Sequence, residues 1–390
     1  MLPGEIATYT WPGQLQVGFG AAGRIGPTAR ALSERHVYVM TDTGVISAGL
    51  LEPVLASLRS VGLSHVLYDR IKADPDIDSV EEAAASFRKN QTDVIIGFGG
   101  GSVIDTAKAV RLLAGGEGRL TEYDLLLGSG VRLPPRRMPN LIAIPTTAGT
   151  GSDVTSWAMI VDPVRKLKFA VGGAFLIPNA SLIDPELMVT LPPLLTAATG
   201  IDALSHCIES YVSITDCPVL DPMILYGIEL IGKNLRVAVA QGTNRAARKD
   251  MALAAMIGGL ALNSKWCGAC HSLAHQLSTF GHVHHGVAIA LILPHQMRYS
   301  LIGAIEKYAQ IGQALGIETG GSVRQQAERA VEAVQELVAD LGLPASLRSV
   351  GITEEMLPAM AKNAYIDDSW AANPRTVSEA VMEQLFRAAL

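Results

Sequence analysis

Short apolar runs alternate with helix-like stretches through the first half of the chain. His36-Val37-Tyr38-Val39-Met40, His65-Val66-Leu67-Tyr68, Asp93-Val94-Ile95-Ile96-Gly97 and Leu141-Ile142-Ala143-Ile144-Pro145 read as strands. Residues 48–61, 78–90 and 103–114 read as the helices between them. Apolar strands of four or five residues, each followed by a helix, predict a parallel sheet with helices on both faces. After Ile183-Asp184-Pro185 and Leu191-Pro192-Pro193 the texture changes, and from Ala197 onward long Ala/Leu/Met helical patterns replace the β-branched runs. The pattern predicts an α/β domain over 1–190 and an all-helical domain over 191–390.

Two Gly-rich segments compete as a nucleotide loop. Gly18-Phe19-Gly20-Ala21-Ala22-Gly23 matches the dinucleotide fingerprint letter for letter, with Asp42 about 20 residues on. Its lead-in Leu15-Gln16-Val17 is short and poorly apolar, and Gly26-Pro27 interrupts the helix that should follow. A glycine turn after an N-terminal strand is the competing reading. Gly97-Phe98-Gly99-Gly100-Gly101-Ser102 lacks the last glycine of the fingerprint, but it sits between an apolar strand and the helix that starts near Val103. Its glycines let the backbone approach a pyrophosphate, and helix N–H groups then face the negative charge. Pro145-Thr146-Thr147-Ala148-Gly149-Thr150-Gly151-Ser152 also follows a strand and offers hydroxyls and amides.

In the second half, Asp202 and His206 are four apart, as are His271 and His275, and His285-Gly286 follows. Four residues apart on a helix means one face. An Asp/His pair and a His/His pair joined by a further His can close a divalent metal site of one oxygen and three imidazoles. Taken singly, either pair is equally a packing detail of an Ala-rich helix. Two pairs downstream of a phosphate loop point to a metal-dependent dehydrogenase. Trp266-Cys267-Gly268-Ala269-Cys270-His271 adds two competing motifs, a c-type haem attachment site and a thioredoxin-like dithiol. The first needs export and the second a preceding strand, whereas residues 251–265 read as helix. Cys267 and Cys270 therefore read as small helix residues beside the metal.

Composition narrows the classes. A chain of 390 residues is too long for one ordinary core. Its mean hydropathy of +0.28 invites a membrane reading. The longest apolar runs, such as Val287 to Leu293, fall far short of the roughly 20 residues a spanning helix needs. The same hydropathy suits a homo-oligomer, a dimer or larger. With a net charge of −6, Arg136-Arg137 and the Arg245/Arg248/Lys249 group read as solvated charges rather than a nucleic-acid footprint. Met1-Leu2-Pro3-Gly4-Glu5 has no signal-peptide pattern, and four cysteines without export imply a reducing cytoplasm.

Gly99-Gly100-Gly101-Ser102-xx-Asp105-xx-Lys108, the Pro145–Ser152 loop, Asp202-xxx-His206, His271-xxx-His275 and His285-Gly286 occur in an order that resembles the iron-containing (group III) alcohol dehydrogenases. The resemblance runs from Asp42 to Asn373-Pro374-Arg375. It implies a dinucleotide-binding α/β domain, a helical domain, and a metal in the cleft between them. By position it implies metal ligands at Asp202, His206, His271 and His285. The pyrophosphate would lie at Gly99, Gly100, Gly101 and Ser102, with Asp105 in the same motif. Asp42 would meet the adenosine ribose and favour NAD over NADP, while Thr146, Thr147, Thr150 and Lys168 line the cofactor site. His275 corresponds to a histidine near the substrate and is assigned to proton transfer. Gly18–Gly23 corresponds to a turn, and His282 and His284 to solvated or capping positions.

The implied activity is interconversion of an alcohol with its aldehyde or ketone by hydride transfer to and from NAD(H), assisted by Fe²⁺; the ligand set equally accepts Zn²⁺. A polyol dehydrogenase and a hydroxyacid–oxoacid transhydrogenase are alternatives on the same fold, and a dithiol redox sensor is the alternative outside catalysis. Trp157, Trp266, Ser369 and Trp370 correspond to positions near the rim of that family's pocket, where tryptophans would favour an apolar chain or ring over a polyol; core packing is the alternative reading for each tryptophan. The substrate itself stays open.

Overall fold

Side-chain alternation along the first strands builds two apolar layers on one sheet. The computed structural model describes residues 8–33, 36–90, 92–116, 118–318 and 320–390; Met1 to Glu5, read above for an export signal, lie outside them. The first half runs β1 (Gln14–Val17), α1 (Ile25–Leu32), β2 (His36–Met40), α2 (Thr43–Ser47), α3 (Leu51–Ser60), β3 (Ser64–Tyr68), α4 (Ile77–Lys89), β4 (Val94–Gly99), α5 (Gly101–Ala114) and β5 (Asn140–Pro145). A hairpin of β6 (Trp157–Asp162) and β7 (Leu167–Gly172) follows, then β8 (Ala180–Ile183). The six-stranded sheet has the order β1-β8-β5-β4-β2-β3, and every pairing in it is parallel. Val37 and Val39 of β2 pack with Val54 and Leu58 of α3, while Tyr38 and Met40 pack with Val80 and Phe87 of α4. Both faces are covered, as the apolar runs predict.

The chain moves outward from β2 to β3 and then returns to lay β4 on the other side of β2. That reversal opens a crevice at the carboxyl ends of β2 and β4, the place where open α/β sheets bind ligands. Asp42 and the Gly99–Ser102 loop both lie there.

The structure departs from the sequence reading at four points. The helix expected over 48–61 starts later, at Leu51, and a separate short helix precedes it. Gly49, at φ 73°, ends α2 in a Schellman arrangement, with Gly49 N–H on Ile46 O and Leu50 N–H on Val45 O, before α3 begins. Gly26-Pro27 does not interrupt a helix: both lie in the first turn of α1, where the N–H that proline lacks has no intrahelical partner. β1 is a sheet edge, paired only with β8, which suits its half-exposed pattern. The β6–β7 hairpin is antiparallel and separate from the main sheet, and the sequence pattern predicts no strand over 157–172.

The second half is helical: α6 (Pro193–Val212), α7 (Asp221–Ala240), α8 (Arg245–Lys265), α9 (Ala269–Gly281), α10 (His285–Ser300), α11 (Ile305–Ala314), α12 (Val323–Asp340), α13 (Leu357–Ile366) and α14 (Glu379–Ala389). α6 is buried on every side from Thr196 to Val212, so each polar group on it needs an internal partner or a ligand. Val154, Ile183 and Met188 meet Ala252, Met256 and Leu260 of α8 and join the halves. There the backbones touch: a Cβ added at Gly151, itself at φ +61°, would come within 2.5 Å of Gly259 Cα. No helix among the described residues is long and apolar enough to cross a membrane.

Candidate functional site

Asp202, His206 and Glu209 fall on one face of α6, at intervals of four and three. His271 and His275 share a face of α9, and His285 is the first residue of α10. The three helices bring Asp202 Oδ1 to 3.6 Å from His206 Nε2, 3.8 Å from His271 Nε2 and 3.5 Å from His285 Nε2. These separations are too long for hydrogen bonds. Asp202 Oδ1 and His271 Nε2 are buried with no hydrogen-bond partner among the described residues. Unpaired buried polar atoms are costly unless something between them is bound. Ligands about 2.1 Å from a tetrahedral metal lie roughly 3.4 Å apart, so the spacing fits a divalent ion. Asp202, His271 and His285 form a donor group with ligand atoms all within 4.8 Å of one another, and Glu209, Cys267 and His271 form a second. His206 reaches the first through Asp202, with its ring stacked on that of His271.

The surrounding residues set the protonation of these donors. Glu209 Oε2 accepts from His271 Nδ1 at 2.5 Å, and its Oε1 accepts from the Cys270 N–H at 2.8 Å. A carboxylate only accepts, so Nδ1 carries a proton and Nε2 is the nitrogen turned toward the donor group. Burial holds His206 down to about 4 and His285 well below its ordinary value, leaving both as neutral imidazoles. At His271 burial also pulls downward, but Cys267 and Glu209 outweigh it and raise its affinity for positive charge.

His275 lies one turn beyond His271 and outside the donor group. Its Nδ1 is 2.6 Å from Asp367 Oδ2, and Asp367 Oδ1 accepts from both the N–H and the Oγ of Ser369. His275 and Ser369 hold the Asp367 carboxyl below its ordinary value despite its burial. His282 ends α9 in the left-handed conformation and His284 precedes α10; both are exposed.

On the sheet side, Gly99 closes β4, Gly100 precedes α5, and Gly101 and Ser102 form its first turn. A Cβ at Gly101 would lie 2.5 Å from the Thr150 methyl, so the third loop is packed directly against the second. The Thr146 N–H donates to Gly99 O at 3.0 Å, and Thr147 sits beside Gly100. Lys168 of β7 pairs with Asp74 at 2.5 Å, and the Asp74 N–H approaches Ser102 Oγ at 3.3 Å. Asp42 sits at the end of β2 but also caps α2, accepting from the Val45 N–H at 2.9 Å. Asp105 lines the cleft with both oxygens already engaged, one by Ser152 Oγ and one by the Met159 N–H. Its geometry is that of a clasp between α5 and β6. One cleft runs from Ser102, Thr150 and Lys168 to His206, His271 and His275.

The sequence reading missed Glu209, Asp367 and Asp74. For Glu209 a signal existed, because its spacing extends the Asp202/His206 face. Cys267 is not a helix residue: α8 ends at Lys265 and α9 begins at Ala269, which leaves it in the intervening loop. Burial raises the thiols of both Cys267 and Cys270, and Cys270 Sγ points at Ile289 O, so neither has the acidity of a redox dithiol. Trp370 does not line the cleft; it stacks on Tyr365 at 5.1 Å and donates to that residue's carbonyl.

Residues 12–185 match the family described as iron-containing alcohol dehydrogenase, and residues 196–390 match the Fe-containing alcohol dehydrogenase family, C-terminal. A choline dehydrogenase from Bacillus subtilis (strain 168) is 36% identical over 384 residues, covering 98% of this chain and 95% of that one. An NAD-dependent methanol dehydrogenase from Bacillus methanolicus is 36% identical over 375 residues, covering 96% and 97%. The crystal structure of a 1,3-propanediol oxidoreductase superposes with a TM-score of 0.94 at 36% identity, covering 99% and 100%. A carboxylate ringed by imidazoles, a glycine loop at the sheet's reversal and these matches agree, and the chain belongs to the iron-containing alcohol dehydrogenase family.

Proposed function

We propose that Asp202, His206, His271 and His285 bind one divalent ion, Fe²⁺ or Zn²⁺, and that NAD(H) lies along Gly99, Gly100, Gly101 and Ser102. Asp42 would meet the adenosine ribose, with Asp105, Thr146, Thr147, Thr150 and Lys168 along the same cofactor cleft. The carrying observation is Asp202 Oδ1, buried, unpaired and ringed by three imidazole nitrogens at 3.5–3.8 Å. Bound there, the ion would supply a Lewis acid for the substrate oxygen and the nicotinamide a hydride acceptor or donor.

The chain's own residues do the rest. Glu209 keeps His271 in the tautomer that presents Nε2. Asp367 engages His275 Nδ1, which leaves His275 Nε2 to take the alcohol proton and pass it to water. The Gly99–Ser102 loop and the start of α5 offer backbone N–H groups to a pyrophosphate. Lys168, buried and paired with Asp74, adds a positive charge to the same stretch of the cleft.

We divide the chain near residue 190, between β8 and α6, into a cofactor part and a metal part. Four free cysteines and the apolar composition support a cytoplasmic homo-oligomer, which size-exclusion chromatography would test. The functional reading is tested on protein stripped by chelation and reloaded with Fe²⁺ or Zn²⁺. Metal should bind one per chain, and NADH absorbance should rise with primary alcohols and fall with aldehydes. Stoichiometric metal with no turnover of any alcohol or aldehyde would refute it.

A further inference from the structure

Two indoles face each other beside the donor group, and the fold holds both in place. Trp157 and Trp266 line the cleft with ring centroids 5.0 Å apart, tilted by 46°. Trp157 opens β6 directly opposite Gly172 of β7. A Cβ at Gly172 would lie 2.2 Å from the Trp157 ring, so the indole lies across the position where a side chain would stand. Behind it, the buried Lys108 of α5 donates to the Trp157 carbonyl at 2.7 Å.

Trp266 is held differently. Its backbone sits at φ 61°, ψ 179°, a region essentially confined to glycine. Two hydrogen bonds keep it there, from its N–H to Leu262 O and from Ser210 Oγ to its carbonyl. The residue remains 41% exposed, so core packing does not account for the conformation. What the conformation achieves is to set the indole against Trp157 at the cleft. Leu126, Met159, Phe169 and Leu262 continue the apolar lining. Asp367 and Ser369, which border the same cleft, are hydrogen-bonded to each other, and Asp367 also engages His275.

We propose that Trp157 and Trp266 form the specificity-determining wall of the alcohol site, and that the wall selects primary alcohols with an extended apolar or aryl tail over diols and cationic alcohols. The proposal rests on the dehydrogenase reading above. A methylene chain laid along the wall gains about fourfold in kcat/KM per buried carbon. An aryl tail adds offset or edge contact with the indoles. A second hydroxyl in the same place loses water, and of the wall's polar groups only the two indole N–H donors can replace it. Choline is the demanding control, because a quaternary ammonium is also attracted to indole faces, and the exposed Asp368 borders the cleft.

The test compares kcat/KM of the metal-loaded enzyme for ethanol, 1-butanol, 1-hexanol, benzyl alcohol, 1,3-propanediol and choline. The parent enzyme should favour 1-hexanol over ethanol by on the order of 100-fold, and benzyl alcohol should exceed the diol and choline. Trp266→Gly and, independently, Trp157→Ala should each lower the hexanol-to-ethanol ratio at least tenfold, with metal content and NADH affinity retained. Trp266→Gly relieves the backbone strain and should not lower the thermal midpoint. A flat profile from ethanol to hexanol, a preference for the diol or choline, or an unchanged ratio in both variants overturns the wall and leaves the dehydrogenase reading standing. No NADH from any alcohol overturns both.

Discussion

Glu209→Gln isolates the residue that sets the tautomer of His271. The glutamate accepts two N–H groups with two oxygens, His271 Nδ1–H at 2.5 Å and Cys270 N–H at 2.8 Å, and it is 1% exposed. A glutamine has one acceptor and one donor end. With its oxygen on Cys270, its NH₂ faces His271 Nδ1, and the imidazole escapes only by moving its proton to Nε2, the nitrogen offered to the metal. With its oxygen on His271, the Cys270 N–H is left buried and unsatisfied, at a cost of about 1–3 kcal/mol. Outer partners of metal-bound histidines typically change affinity by about 10–100-fold, equivalent to about 1.4–2.7 kcal/mol. Competition of apo-protein with a chromogenic chelator for Zn²⁺ measures this directly, and a thermal melt of the apo form reports separately on folding. Affinity within twofold of the parent, in a folded variant, would refute the tautomer argument.

Three further outcomes follow from the same geometry. Asp42→Gly should narrow or invert the preference for NAD over NADP, because its carboxylate repels a 2′-phosphate; equal kcat/KM of the parent with both cofactors would count against it. His275→Ala should retain metal while losing about 10²–10⁴-fold in rate at neutral pH, a typical contribution of a positioned acid–base group; metal loss would make it a ligand instead. Asp153 is buried with Oδ2 unpaired, and burial raises its carboxyl to about 6. Its folded pKa thus exceeds the unfolded one, so above about pH 6 the charged form destabilises the fold, and the penalty fades as pH falls toward 4. Asp153→Asn should gain about 1–3 kcal/mol in denaturant titrations at pH 8, and a gain that grows on acidification would contradict the assignment.

The parallel strands and Asp202, His206 and His271 of the candidate metal site were legible because their signals are local, whereas the choice of His285 over His275 as the fourth donor came from the family resemblance. An apolar run of five residues, or a His four from another, is complete within a few positions. What stayed hidden depends on distant partners. Asp367 lies 92 residues from His275 and Glu209 lies 62 from His271, and a single acid in either segment looks like a solvated charge. The β6–β7 hairpin escaped because its turn carries no glycine. Lys166 takes the left-handed conformation at φ 51° instead, and the register that sets Trp157 over Gly172 is visible only once the strands are paired. The split of α2 from α3 was readable in principle, since Gly49 is a common helix stop.

The contact of Gly151 with Gly259 has a mechanical consequence. At other points of the junction side chains such as Met256 and Leu260 lie between the halves and can change rotamer, although Gly149 also approaches the Thr199 backbone closely. At this point two backbones meet without padding, since a methyl on Gly259 would come within 2.7 Å of the Gly151 carbonyl. Such a contact cannot be compressed and resists sliding, but it tolerates a change of angle. Any motion of the helical half against the sheet would therefore use it as a fulcrum, turning about it rather than sliding past it. The Thr146–Thr150 loop, next to the fulcrum, then shifts little. A lining group farther from it sweeps a wider arc for the same turn, so a wedge as small as one methyl group at the fulcrum would be magnified along the cleft.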